Sequence, residues 1–162
     1  MTASTATATI SNRFNCWYCR FLSAVDSLRS PFLLLVRLYW GWQFSQTGWG
    51  KLHNLGHLRD FFASLNIPAS GVIAPCIASL EFFGGILLIA GLGTRIISLL
   101  LALNMFAAYL TADREALSSI LSNPGKFYAA DPFTFLFAAI ICLIFGAGFF
   151  SVDYALIRRR NR

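Results

Sequence analysis

The chain has 162 residues, of which 57% are hydrophobic and 12% charged, with a net charge of +6 and a mean hydropathy of +0.63. A soluble domain carries about 25% charged residues, so this composition excludes a water-facing globule and implies a surface that meets lipid. The basic residues sit in short clusters beside apolar stretches, the pattern of membrane orientation signals and not of a nucleic-acid patch, and the length suits one bundle.

In chain order, residues 1–12 form a Thr/Ala/Ser tract with no apolar core, which is expected to be a disordered tail and not a secretory signal. Over residues 13–30, Phe14, Trp17, Tyr18, Phe21, Leu22, Val25 and Leu28 recur at helical spacing opposite Arg13, Arg20, Ser23 and Asp26. That pattern predicts an amphipathic helix in the membrane interface. A first span is predicted from Pro31 to Trp49, with Ser30 as N-cap and Pro31 at the first helical position. A second interfacial helix is expected through Leu55, Leu58, Phe61, Phe62 and Leu65. Further spans are expected at Gly71–Leu92, Arg95–Ala112 and Pro132–Phe150, each long enough for about 30 Å of hydrocarbon. A polar loop from Asp113 to Asp131, with a turn at Asn123-Pro124-Gly125, separates the last two. Residues 155–162 read as a basic cytoplasmic tail.

Orientation follows from Lys and Arg. With both termini cytoplasmic, the inner side holds Arg13, Arg20, Arg29, Arg95, Arg158, Arg159, Arg160 and Arg162, and the outer side only Lys51, Arg59, Arg114 and Lys126. The bias favours both ends inside and hence an even number of crossings. The fold class expected is therefore all-α, an integral membrane four-helix bundle.

Two charges fall where hydrocarbon is expected. Arg37, Gly41, Phe44, Gly48 and Lys51 share one stripe of the first span, and Glu81 lies near the middle of the second beside Ala74, Ala78, Gly84 and Gly85. An ion at mid-bilayer costs at least about 2.5–3.5 kcal/mol, so Arg37 and Glu81 are expected to face inward and pair. Counting 1.5 Å per residue puts them about 9 and 16 Å from the inner ends of their helices, a gap that an arginine side chain closes. The candidate pocket comprises Arg37, Phe44, Lys51, Glu81, Phe82 and Asn104. It would bind a small polar or quinone-like molecule or relay a proton; the competing reading is an ion pair that only fixes packing.

Other candidates carry less. The four cysteines are Cys16, Cys19, Cys76 and Cys142. Cys16 and Cys19 form a C-x-x-C without the βαβ scaffold a redox pair needs, and are read as ordinary free thiols. Cys76 and Cys142 lie in apolar runs, where a thiol is a small hydrophobe. His53 and His57 are spaced as two metal ligands would be, but a third ligand is missing and no metal is expected.

The stripe from Arg37 to Lys51, then Glu81-Phe82-Phe83-Gly84-Gly85, Gly91-Leu92-Gly93-Thr94-Arg95, Met105 with Ala108, and finally Gly146-Ala147-Gly148 with Ser151-Val152-Asp153, resembles the DoxX family of small bacterial membrane proteins. The likeness runs from about Pro31 to Tyr154; Ala147 stands where the family often has Pro. It implies a four-helix transmembrane domain over residues 31–154 in the bacterial cytoplasmic (inner) membrane, and a link to redox work. Members include the small subunit of a thiosulfate:quinone oxidoreductase and a partner of superoxide-defence and thiol-handling enzymes; other relatives resemble cargo receptors or assembly chaperones.

These readings converge on an accessory subunit of a quinone- or thiol-linked membrane redox complex, more than a free-standing enzyme, with quinone as the candidate cofactor. Its expected partners are the lipid bilayer and membrane or peripheral redox proteins. The alternative is a membrane-protein assembly factor without redox chemistry. A transporter ranks lower because a single four-helix unit has no inverted repeat.

Overall fold

A computed structural model of the chain describes residues 3–160, with side chains from residue 17 onward. Eight helices follow one another and no strand occurs among the described residues. They are α1 (Ala3–His53), α2 (Leu55–Ser64), α3 (Ser70–Ala90), α4 (Thr94–Thr111), α5 (Arg114–Ser118), α6 (Pro124–Ala129), α7 (Pro132–Phe145) and α8 (Val152–Arg160).

The chain is inside-out relative to a soluble protein. Many of its buried positions on α3 and α4 are small or polar, among them Ala74, Ala78, Gly84, Gly85, Thr94 and Ser98, whereas large apolar residues such as Val72, Phe83, Ile96 and Leu103 are exposed. Apolar side chains on the outside are what a lipid solvent rewards, and small residues inside let backbones approach. Helices α3 and α4 are long and apolar enough to cross a bilayer. α7 is apolar but has 14 residues, about 21 Å of helix.

Two expected helix ends are corrected here. No helix begins at Pro31: α1 runs unbroken through 51 residues, from Ala3 to His53, with Pro31 inside it. A helix starting at Pro31 would leave a full turn of N–H groups without partners. Continuing it forfeits only the bond that Pro31 cannot donate to Ser27, whose carbonyl lies in an exposed stretch. Ser30 is accordingly not an N-cap; its Oγ accepts a hydrogen bond from Phe149 N–H at 3.4 Å. The last span ends at Phe145 and not at Phe150, because Gly146 adopts φ 74°, a conformation that L side chains resist. Most of the basic end is helical, within Val152–Arg160.

The turn between α3 and α4 fits its sequence. Gly91 N–H and Leu92 N–H return to the carbonyls of Leu88 and Leu87, with Gly91 at φ 70° and Gly93 at φ 60°, the Schellman pattern that two glycines permit. Asp153 of α8 then accepts from Gly93 N–H at 2.7 Å and Thr94 N–H at 2.9 Å, capping α4 from a distance of 60 residues in sequence.

α1 packs along α3 and α4 along α7, and contacts between α3 and α4 and between α1 and α7 join the two pairs. Glycines set the α1–α3 register. A Cβ on Gly41 would lie 2.8 Å from the Gly85 carbonyl, and one on Gly85 would lie 2.5 Å from Gly41 O and Ser45 Oγ. Neighbouring Gly84 faces Leu101 of α4 at 3.3 Å instead, so the glycine doublet presents one residue to each flanking helix. Phe44, Leu88, Leu101, Ala102, Met105, Ala139 and Cys142 form the buried apolar centre, with Phe44 edge-on to Phe135 at 4.8 Å.

Candidate functional site

The glycine register decides which charges meet. With Gly41 against Gly85 and Ile89, and Gly48 against Ala78 and Phe82, Glu81 comes level with Gly48 and Arg37 with Gly91. Ten residues of α3 then separate Glu81 from the level of Arg37, about 15 Å at helical rise. The expected Arg37–Glu81 pair is therefore not formed. The expectation took Pro31 and Leu92 as level ends, and the close glycine contacts shift the two helices by about a turn relative to that.

Glu81 pairs with Lys51. The Lys51 ammonium donates to both carboxylate oxygens at 2.6 Å, and Asn104 Nδ2 donates to Oε1 at 2.9 Å. The Glu81 side chain is 2% exposed and that of Lys51 36%. Three helices thus contribute one group each: α1 the cation, α3 the anion, α4 the amide. A carboxylate that accepts three donations costs far less to bury than a bare one.

The triad forms one wall of a cavity of about 950 Å³. Leu58, Phe61 and Phe62 of α2 and Leu65 at its C-terminal cap also line it, so the helix expected to lie in the interface lends apolar residues to the cavity. Met105 and Ala108 of α4 and Phe135 of α7 complete the apolar lining, and Gln43, Thr47, Arg114 and Tyr128 add polar groups. The polar loop between Asp113 and Asp131 supplies part of the lining, through Arg114, Tyr128 and Asp131. Tyr109 donates to Phe127 O at 2.8 Å and stacks on its ring at 4.8 Å, which fastens α6 to α4. A largely apolar space of this size with a few convergent polar groups is what a drug-sized organic ligand needs.

The six candidate residues separate into three groups. Lys51, Glu81 and Asn104 meet at the cavity. Phe44 is buried in the core behind Phe135, and Phe82 packs on Trp49 at 5.3 Å; neither lines the cavity. Arg37 lies at the other end of the bundle, fully buried, with Nη2 donating to Phe150 O. Its Nε and Nη1 have no partner among the described residues. The guanidinium occupies the space that a side chain on Gly91 would need.

Cys19 and Cys76 are exposed and free and Cys142 is buried and free; the Cys16 side chain lies outside the described residues. His53 Nδ1 contacts Trp49 O at 3.0 Å, and no cluster of three or more metal-ligating side chains occurs among the described residues. Sequence reasoning missed Asp153, whose only signal was its place in the Ser-Val-Asp ending, and the cavity-lining residues Gln43, Thr47, Arg114, Tyr128 and Phe135.

Apolar helices with outward-facing large side chains and an internal polar triad define a small helical membrane protein. Residues 32–114 match the DoxX family model, and the chain belongs to that family. It is also 34% identical over 117 residues to a protein of Bacillus subtilis (strain 168) named "Putative oxidoreductase CatD", a match covering 63% of this chain and 86% of that protein. No solved structure matches the chain.

Proposed function

We propose that the chain is an accessory subunit of a redox complex in the bacterial cytoplasmic membrane and that its cavity receives a quinone headgroup. α1, α3, α4 and α7 cross the bilayer as a four-helix bundle with both termini in the cytoplasm, in keeping with the eight-to-four distribution of basic residues. The observation that carries the reading is the Lys51–Glu81–Asn104 triad on the wall of an apolar cavity of about 950 Å³. Lys51 and Asn104 have donors beyond those given to Glu81, which suits quinone carbonyls, and Phe61, Phe62 and Phe135 suit the ring. The relative's printed name supports a redox setting.

Purification in mild detergent, followed by mass spectrometry of co-purifying small molecules and proteins, tests this. A bound quinone that is lost in Asn104→Ala while the protein keeps its melting temperature within a few degrees supports the proposal. Absence of quinone from the preparation, together with no thermal shift on adding a soluble quinone analogue, rejects it. The exposed stripe of Trp17, Phe21, Val25 and Leu28 on α1 favours a second reading, an assembly factor that holds client helices. A stoichiometric membrane client in the same preparation would select that reading.

A further inference from the structure

A second concavity, of about 960 Å³, opens at the other end of the bundle between α1, the start of α4, residues 146–151 and α8. Its level is given by α3 and α4, the two apolar helices long enough to cross a bilayer: both end at the turn 91–93, and Gly93 and Arg95 line the concavity. It therefore lies where headgroups meet hydrocarbon.

Two exposed arginines from different helices approach adjacent residues there. Arg29 of α1 donates to Phe145 O at 3.5 Å with its guanidinium 5.2 Å from the Phe145 ring centre. Arg95 of α4 brings Nε to 3.3 Å from the position a Cβ of Gly146 would take. Arg95 donates no hydrogen bond among the described residues, so its fork of donors stays available. Two carboxylates share the lining, Asp26 and Asp153, and Asp153 accepts from Gly93 N–H with one oxygen and from Thr94 N–H with the other. The floor is held by the protein itself, through Phe149 N–H on Ser30 and Arg37 on Phe150 O. Ile96, Leu156 and Ile157 give it an apolar flank.

We propose that this concavity binds the phosphate headgroup of an anionic phospholipid, with Arg29 and Arg95 on the phosphate oxygens and an acyl chain along Ile96. Guanidinium forks match phosphate oxygens in geometry, and basic groups at this level are attracted to anionic leaflets. Offsetting the carbonyl end of α7 is the other role open to these arginines. Arg29 alone fills it by its contact with Phe145 O, which leaves Arg95 for a ligand.

The test is native mass spectrometry of the full chain in mild detergent, titrated with phosphatidylglycerol or phosphatidylcholine. Phosphatidylglycerol is expected to be retained preferentially, and Arg29→Gln and Arg95→Gln each to weaken it about fivefold. Arg59→Gln, exposed on α2, should leave it unchanged. Equal retention of the two lipids, or equal weakening by all three substitutions, overturns the proposal. Complete displacement by inorganic phosphate overturns it in favour of a free-anion site. Should an arginine variant fail to fold, as judged by its melting temperature, the wild-type preference for phosphatidylglycerol decides: it must shrink with added salt, and a preference indifferent to salt rejects the arginines as the cause. None of these outcomes involves the Lys51–Glu81–Asn104 cavity.

Discussion

The two ends of the bundle each bury a charge, and they deal with it differently. At one end Glu81 is met by side chains, a cation and an amide, and space opens beside the group. At the other, Arg37 is met by a backbone carbonyl, two of its nitrogens lack partners among the described residues, and glycine packs against it. A charge held by movable side chains next to a cavity can exchange partners with a ligand. A charge wedged against Gly91 and the carbonyl of Phe150 pins a loop. The contrast supports the proposal that Glu81 belongs to a site, and gives Arg37 the support of residues 146–151.

The largest expected effect comes from breaking the Glu81 end. Lys51→Met leaves a carboxylate that is 2% exposed with only Asn104 as donor, and should cost about 3 kcal/mol in thermal unfolding in detergent, the lower part of the range for stranding a buried charge. A loss below about 1 kcal/mol would mean that water reaches Glu81 and that the pair behaves as an exposed one.

Next is the glycine at the Arg37 end. Gly91→Ala puts a Cβ at φ 70° and into the guanidinium, so a loss of about 2–3 kcal/mol is expected from strain and displacement together. Recovery of stability in Gly91→Ala combined with Arg37→Ala, measured by the same melt, would show that the clash and not the dihedral dominates.

A double-mutant cycle separates the ends directly. Arg37→Gln and Glu81→Gln should add to within about 0.5 kcal/mol, as distant sites do. Lys51→Met and Glu81→Leu should couple by about 1–3 kcal/mol. Coupling between Arg37 and Glu81 would restore the pairing that the α1–α3 register denies.

The smallest effect belongs to Asp153→Ala. It removes two hydrogen bonds to the start of α4 and should cost about 1 kcal/mol, the usual worth of a helix cap. Hydrogen exchange at Gly93 and Thr94 should rise while exchange at Asn104 does not; a rise at both would mean that the two ends are one cooperative unit.

Much of this was legible in the residues themselves. Runs of apolar residues placed α3 within two residues of each end and α4 within one, because backbone polar groups in lipid leave no alternative to helix. Gly93 marked the turn after the second span, whereas Gly91, read as part of that span, joins the turn at φ 70°. The isolated charges of Arg37 and Glu81 announced themselves as polar groups in apolar runs, Lys51 as the end of the Arg37 stripe, and Asn104 as a donor or acceptor.

What the sequence left open was which charge meets which, and tertiary packing decided it. Helical period places Arg37 and Lys51 on one stripe but says nothing about the sliding of α1 along α3. Glycines set that slide, since Gly41, Gly48 and Gly85 are the points where two backbones can touch, and about a turn of displacement exchanges one partner of Glu81 for the other. Asp153, Ser30 and the apolar face of α2 were beyond reach for the same reason. Their partners, the N–H groups of Gly93 and Thr94, the N–H of Phe149 and the open side of the cavity, come near only when separate helices pack. Local chemistry chose the helices, and close contact between backbones chose the site.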